Sequence, residues 1–231
     1  MLRGVIFDID GTLVDSNDAH ARSWVDTFRE AGYDVPFEAV RPLIGMGGDK
    51  LLPKAIEVRH DSKEGKKLSK RRSEIFHRDY LPGLRAFKSS RALVLRVREE
   101  GLKPVVATSA KDEELKGLLK AAEVDDLMEE KATASDAKRS KPDPDIVEAA
   151  IEQAGIEAPD LVMIGDTPYD VEAATRAGVR IIGFRSGGWG DADLSGAVEI
   201  YDGPAHLLEA YSSSLLGKGV RRRTFGSSDM G

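Results

Sequence analysis

The sequence predicts an α/β protein built on a doubly wound parallel sheet, with an all-helical segment inserted after the first strand. A short apolar run, Gly4–Phe7, leads straight into clustered aspartates, and a charged, helix-forming stretch without strand signals follows it. From about residue 83 onward, helical and strand patterns alternate. Strands that alternate with helices of about ten residues indicate βαβ units and hence a parallel sheet.

The first strand is expected at Gly4–Phe7, because a continuous apolar run bounded by turn residues is typical of a buried strand in a parallel sheet. From Asn17 to about Arg78 the apolar residues recur at helical spacing, and a glycine-rich turn at 41–50 interrupts them. We expect helices throughout this block. It therefore separates the first strand from the rest of the sheet.

The remaining elements follow in a regular order. They are a helix at 89–100, a strand at 104–109, a helix at 112–122, a weak strand at 127–129, a helix at 144–154, a strand at 161–166, a helix at 169–177 and a strand at 179–184. Gly155 and Gly178 are expected to end their helices. The tail, 212–231, is rich in Ser, Gly and Arg and is predicted to be disordered.

Composition limits the classes of function. The chain has 231 residues, a formal net charge of −6 and no cysteine. A net negative charge argues against general nucleic-acid binding, and the lack of cysteine excludes disulfides and thiolate chemistry. There is no apolar run long enough to span a membrane and no signal-peptide pattern. We expect a cytoplasmic protein that binds neither nucleic acid nor membrane, with a monomer as the default state.

Polar residues follow the predicted strands at the edge where parallel sheets bind ligands. They are Asp8 and Asp10, Thr108 and Ser109, Asp166 and Asp170, and Lys141 in the loop 140–144. Each alone has an ordinary explanation as a turn or helix-cap residue, but together they would repel or pair at a cost without a ligand.

Oxygen ligands without cysteine or clustered histidine favour Mg²⁺, whose open positions a phosphate oxygen can fill. Thr108 and Lys141 would then bind the other phosphate oxygens. The four histidines fall in no ligand spacing and are interpreted as structural or surface residues; they are His20, His60, His77 and His206.

Four segments, FDIDGTLVDS, VVATS, SKPDP and IGDTPYD, resemble in this order the motifs of the haloacid-dehalogenase-like superfamily. The resemblance covers the chain to about residue 211, and it is greatest to members of the phosphoglycolate-phosphatase type. It implies a doubly wound core at 1–15 and 83–211 and a mobile helical cap at 16–82.

The resemblance also implies a role for each site residue. Asp8 would be the nucleophile that forms an aspartyl-phosphate, and Asp10 the general acid and then the base. Mg²⁺ would be held by Asp8, the backbone carbonyl of Asp10 and Asp166, with Asp170 close by or reaching the metal through water. Thr108 and Ser109 would bind the phosphate, and Lys141 would pair with both the phosphate and Asp8.

Substrate contacts are expected from the cap loop, with Gly47 letting the backbone approach a ligand and Lys50 as the nearest cation. The loop 185–190 is expected at the surface near the site. Asp10 favours phosphate esters over halides, and the predicted activity is a Mg²⁺-dependent phosphatase acting on a small phosphorylated metabolite. A phosphomutase of the β-phosphoglucomutase type is less favoured, because such mutases usually carry an arginine in the cap loop, where this sequence has Gly47 and Gly48. They also carry a Ser/Asn pair just after the second motif, where this sequence has Ala110 and Lys111. That alternative stays open, as does a non-catalytic protein that binds a phosphorylated ligand.

Overall fold

The computed structural model describes residues 1–219. Its centre is a six-stranded sheet in which every neighbouring pair is parallel, in the order β3-β2-β1-β4-β5-β6. The strands are β1 (Gly4–Phe7), β2 (Lys103–Ala107), β3 (Glu130–Ala132), β4 (Leu161–Gly165), β5 (Arg180–Phe184) and β6 (Glu199–Tyr201). The chain builds outward from β1 first to one side and then to the other, which confirms the predicted doubly wound α/β fold.

Helices cover both faces of this sheet. They are α5 (Ser90–Glu99), α6 (Asp112–Ala121), α7 (Asp145–Ala154), α8 (Pro168–Arg176), α9 (Pro204–Glu209) and α10 (Leu215–Gly219). Successive residues of a strand point to opposite faces, so Phe7 packs with α5 and α6, while Ile6 packs with α7 and α8. Because both faces are covered, β1 is buried along its whole length.

A helical block lies between β1 and β2. Its helices are α1 (Asn17–Glu30), α2 (Phe37–Val40), α3 (Gly48–Ile56) and α4 (Lys63–Ile75), and α4 continues into a π-helical turn at Phe76–Tyr80. The block has an apolar core of its own around Trp24, Phe28 and Leu52. These helices lie within the predicted cap segment 16–82, and the behaviour of that segment as a separate, mobile domain stays a prediction.

Two short edge strands differ from the sequence prediction. The weak strand predicted at 127–129 is found instead at Glu130–Ala132, and β6 was not predicted at all. Leu127 and Met128 are apolar because they pack in the core, not because they pair with β2. Edge strands of three residues are defined by backbone pairing with a neighbour and carry little side-chain pattern of their own.

The end of the described chain is ordered where the sequence predicted disorder. A 3₁₀ turn at Tyr211–Ser213 leads into α10, whose Leu216 is buried in the core. The backbone N–H of Leu2 donates to the carbonyl of Gly219 at 3.2 Å. The prediction is therefore wrong for 212–219, and the rest of the predicted tail, including its arginine run, lies outside the described residues. Within those residues, none of the helices has the length and apolarity needed to cross a membrane.

Candidate active site

Polar residues follow three neighbouring strands at the carboxyl edge of the sheet. Asp8 comes directly after β1, Thr108 after β2 and Asp166 after β4. All three side chains are buried. Because the strands are parallel and adjacent, their ends bring these residues to one place.

Lys141 joins this group from the loop that precedes α7. Its Nζ lies 2.5 Å from Oδ1 of Asp8 and 2.7 Å from Oδ1 of Asp170, and it donates to the carbonyl of Ala107 at 3.1 Å. Burial works against the charge of this lysine, but Asp170 and Asp8 more than offset it and raise the pKa of Lys141 above its usual value. Lys141 is therefore a buried ammonium group held between two carboxylates.

Asp166 completes a group of three carboxylates with Asp8 and Asp170. Each residue offers an oxygen, and the three oxygens lie within 4.8 Å of one another. Thr12 Oγ1 donates to Asp166 at 3.0 Å, and Asn17 Nδ2 donates to its other oxygen at 2.8 Å. Hard divalent cations such as Mg²⁺ bind to oxygen ligands of this kind.

The charges of this group do not balance. Burial raises the pKa of Asp8 to about 7; Lys141 opposes this rise, whereas Asp170 and Asp10 add to it. Burial, with added repulsion from Asp8 and Asp170, raises the pKa of Asp166 well above its usual value. Three buried carboxylates face one ammonium group, so a bound cation would remove the excess negative charge. The donor set and its charge both fit a divalent metal held by Asp8, Asp166 and Asp170.

Asp170 also has a structural role at the start of α8. Its Oδ2 accepts from the backbone N–H of Thr167 at 3.1 Å and from the Thr167 hydroxyl at 2.6 Å, while its own N–H donates to Thr167 Oγ1. This reciprocal pair is a capping box. The cap fixes one carboxylate oxygen of Asp170 and leaves the other facing Lys141.

The side chain of Asp10 makes its hydrogen bonds with residues of the helical segment and not with the three carboxylates. Its Oδ1 accepts from Ser16 Oγ at 2.6 Å and lies 2.6 Å from Nε2 of His20. Burial opposes ionisation of Asp10, but His20, Ser16 and Arg72 outweigh it and lower the pKa of Asp10 below its usual value. Asp10 is thus an ionised carboxylate whose partners come from the start of α1, including its N-cap Ser16, and from α4.

His20, interpreted from the sequence as a structural or surface residue, is buried beside Asp10 and also lines the cavity described below. Its ring is buried and stacks on Phe76, with centroids 4.3 Å apart. Arg72 donates to Nδ1 of His20 and, through Nη1, to both carboxylate oxygens of Glu114 at 2.9 Å. A spacing of four residues between Ser16 and His20 was the signal in the sequence, because it places His20 one helical turn after Ser16, the N-cap residue of α1.

A cavity of about 120 Å³ lies between the helical block and the sheet edge. Its wall combines residues of both parts, among them Asp8, Asp10, Thr108 and Ser109 from the sheet and Trp24, Gly47, His60 and Arg72 from the block. Thr108 Oγ1 accepts from the N–H of Ala110, whereas the buried Ser109 hydroxyl has no hydrogen-bond partner among the described residues. The predicted residues Thr108, Ser109 and Gly47 therefore reach the cavity.

Lys50 does not reach it. Its Nζ forms an ion pair with Asp143, and Lys50 is not among the residues that line the cavity. The expectation that Lys50 contacts substrate is therefore not met by this geometry. The loop that contains Asp143 also carries Lys141, which places Lys50 at a contact between the helical block and the α/β core.

The loop 185–190, expected at the surface near the site, borders Asp166 directly. Arg41 of the helical block donates to the carbonyl of Gly187 at 2.7 Å. A Cβ at Gly187 would lie 1.8 Å from Asp166 Oδ2, and a Cβ at Gly11 would lie 2.1 Å from the same atom. Both glycines are needed because the Asp166 carboxylate occupies the space beside their Cα atoms.

Comparison with known proteins identifies the family. A family model described as haloacid dehalogenase-like hydrolase matches residues 5–184, which is more than half of the chain. The chain therefore belongs to this family. This confirms both the resemblance found in the four motifs and the prediction that the protein is an enzyme of the hydrolase class.

Two relatives are similar over most of the chain. A protein of Caldanaerobacter subterraneus subsp. tengcongensis with the provisional name pyrophosphatase PpaX is 29% identical over 186 residues, covering 80% of this chain and 82% of that protein. A phosphoglycolate phosphatase of Nitrosospira multiformis is 27% identical over 185 residues, covering 78% and 82%. Both relatives bear phosphatase names.

Solved structures agree with the fold. A hydrolase from Pseudomonas syringae superposes with a TM-score of 0.84 at 27% identity, covering 91% of this chain and 98% of that one. A β-phosphoglucomutase from Clostridium difficile superposes with a TM-score of 0.79 at 18% identity, covering 92% and 98%. The second likeness shows a shared fold alone, so the choice between hydrolysis and phosphoryl transfer to a sugar depends on the site residues.

Proposed function

We propose that this hydrolase is a Mg²⁺-dependent phosphatase that removes phosphate from a small phosphate monoester through an aspartyl-phosphate on Asp8. The observation that carries the proposal is the environment of Asp8. Its carboxylate borders the cavity, lies 2.5 Å from a buried lysine, and shares a metal-type oxygen cluster with two further aspartates. An anionic carboxylate can attack an anionic phosphate only where cations cancel the repulsion.

In the first step, a carboxylate oxygen of Asp8 attacks phosphorus, and the bond from phosphorus to the ester oxygen breaks. Asp10 gives to the leaving oxygen the proton that it took from water in the second step of the preceding turnover. Lys141 and the hydroxyl groups of Thr108 and Ser109 bind phosphate oxygens. Mg²⁺ held by Asp8, Asp166 and Asp170 would supply positive charge that neutralises the phosphate.

In the second step, water attacks phosphorus, Asp10 takes a proton from that water, and orthophosphate leaves as Asp8 is regenerated. The contacts of Asp10 support this role. Because Arg72 donates to Nδ1 of His20, the ring carries its proton on Nε2 and donates it to Asp10. This arrangement holds Asp10 as an anion, the form that accepts a proton from water.

The phosphomutase alternative needs a group that binds the second phosphate of a sugar bisphosphate. The cap-loop positions at which mutases usually carry an arginine hold Gly47 and Gly48, and Lys50 nearby is paired with Asp143. Ala110 and Lys111 occupy the places of the Ser/Asn pair of the mutases. These residues favour water as the phosphate acceptor. A non-catalytic role is disfavoured because Asp8, Asp10, Lys141 and Asp166 all keep competent side chains.

The substrate proposed is a small phosphorylated metabolite. A cavity of about 120 Å³ leaves room for a short leaving group beside the phosphate. The names of the relatives make phosphoglycolate and pyrophosphate the first compounds to test. The cytoplasmic location and the monomeric state expected from the sequence stay predictions.

The deciding experiment is turnover of p-nitrophenyl phosphate with Mg²⁺ by the wild type and by Asp8→Asn. We expect the substitution to abolish turnover, because an amide cannot form the acyl-phosphate. Asp15→Asn is the matched control, since Asp15 lies in the same motif but is exposed and makes no side-chain hydrogen bond within residues 1–219. Equal rates for Asp8→Asn and the wild type would overturn the proposal.

A further inference from the structure

The beginning of helix α3 is attached to the loop that carries Lys141. Asp49 accepts from the Ser140 hydroxyl at 2.5 Å and from the Ser140 backbone N–H at 3.2 Å. The next residue, Lys50, forms an ion pair with Asp143. Two consecutive residues of the helical block thus bind the loop on both sides of Lys141.

The backbone allows this close approach because Gly47 has no side chain. A Cβ at Gly47 would lie 2.6 Å from Cβ of Ser140. Asp143 is in turn anchored to the α/β core, since Arg176 of α8 donates to it at 3.0 Å. The contact therefore runs from α3 through the loop to α8.

These contacts are placed to affect Lys141. Its Nζ sits between Asp8 and Asp170, so a shift of the loop backbone would move the ammonium group relative to the attacking carboxylate. Misplacement of a catalytic group by about 1 Å can cost on the order of a hundredfold in rate. Lys50 and Asp143 keep partial solvent contact, with 26% and 10% of their side chains exposed. This ion pair can therefore separate at less cost than a fully buried one.

We propose that Asp49 and Lys50 are positioning residues: by binding Ser140 and Asp143 they fix the intervening Lys141 against Asp8 when the helical block is seated on the core. This inference rests on the proposed function, in which Lys141 binds the transferring phosphate. It predicts that Lys50 affects the site for the phosphate group, which all substrates share, and does not affect the binding of the leaving group.

The kinetic test compares Lys50→Met with Lys50→Arg and with Lys54→Met. Lys54 lies on the same helix, is exposed, and makes no salt bridge within residues 1–219. For Lys50→Met we expect kcat/KM to fall about tenfold, by the same factor for p-nitrophenyl phosphate and phosphoglycolate, with weaker inhibition by orthophosphate. Lys50→Arg should recover most of the loss, and Lys54→Met should match the wild type. A fall confined to one substrate, or no fall, would overturn the proposal.

A second measurement needs no turnover. Hydrogen exchange followed by mass spectrometry should show faster exchange in the peptide that contains Ser140 for Lys50→Met. Loss of the ion pair with Asp143 should loosen the neighbouring contact, in which the Ser140 amide donates to Asp49. Lys54→Met should leave that peptide unchanged. Unaltered exchange in Lys50→Met would refute the positioning role. Inactivity of the wild type toward every phosphate ester would count against the proposed function alone, since the exchange result still decides about the contact.

Discussion

Arg72 of the helical block donates a hydrogen bond to Nδ1 of His20, and this bond determines which nitrogen of the ring faces Asp10. The same guanidinium group binds both oxygens of Glu114 in α6, a helix of the α/β core. Arg72 therefore does two things: it orients the partner of Asp10, and it closes a buried ion pair between the block and the core.

Replacing Arg72 by Met should disturb the orientation of His20 and break the ion pair with Glu114. Glu114 would lose its arginine partner in a buried position, and breaking such a pair costs about 3 kcal/mol of the free energy of unfolding. Turnover should also fall, because His20 would no longer be held as the donor to Asp10. Arg71→Met is the neighbouring control, since Arg71 pairs with Glu30 at the surface. Urea unfolding measures the stability of the two variants, and phosphatase assays measure their turnover. Equal losses of stability in Arg72→Met and Arg71→Met would contradict this account.

Mg²⁺ should stabilise the protein more strongly near neutral pH than in acid. The folded-state pKa of Asp8 is raised from 3.8 to about 7, and that of Asp166 is raised in the same direction. A raised carboxyl pKa favours folding while the group is protonated, and this contribution is lost as pH rises through the folded-state value. The metal-free protein should therefore lose stability between about pH 4 and pH 7, where a bound cation would offset the repulsion.

Thermal unfolding with and without Mg²⁺, at about pH 5 and about pH 8, measures this difference. We expect a larger rise in Tm at the higher pH. Asp166→Asn should raise the Tm of the metal-free protein and abolish most of the Mg²⁺ response. A rise in Tm that is the same at both pH values would speak against a metal bound by these carboxylates.

Two glycines with nearly the same φ distinguish the cost of a left-handed backbone from the displacement of the Asp166 side chain. Gly11 has φ +75° and Gly178 has φ +74°, but an added Cβ meets the Asp166 carboxylate only at Gly11, and at Gly178 meets nothing within 4 Å. Alanine at either position should cost about 1 kcal/mol of stability through the left-handed backbone. Gly11→Ala alone should also abolish activity and the Mg²⁺-induced rise in Tm. Full activity of Gly11→Ala would show that the Asp166 position is not needed.

The sequence was most informative where chemistry follows a strand. The sequence predicts that Asp8, Thr108 and Asp166 lie close together, because the carboxyl ends of adjacent parallel strands meet at one edge of the sheet. Lys141 came from its motif, and the structure places it within 2.7 Å of two of the aspartates. The short edge strand β6 could not be seen, because its three residues have no pattern that survives without the neighbouring strand.

Contacts between the helical block and the α/β core could not be predicted from the sequence. The place of Lys50 as the nearest cation in the cap loop predicts a contact with substrate, whereas the Asp143 that binds it is far along the chain. Metal-ligand spacing in the sequence gives no indication of the contacts that His20 makes. Its role depends instead on Asp10 and on Arg72, which reaches it from another helix. Pairings between distant segments require the docked arrangement of the two parts.

The central place of β1 has a consequence for how the chain folds. Gly4 pairs with Lys103 on one side and with Leu161 on the other, so the strand that ends at Asp8 gains its second neighbour only when β4 exists. Contacts of such sequence separation are slow to form, and a nascent chain exposes unpaired strand edges while it waits. Among the strands of the sheet, β1 precedes both of its neighbours in the chain but is enclosed only after β4 has formed, so the surroundings of Asp8 are completed late in folding.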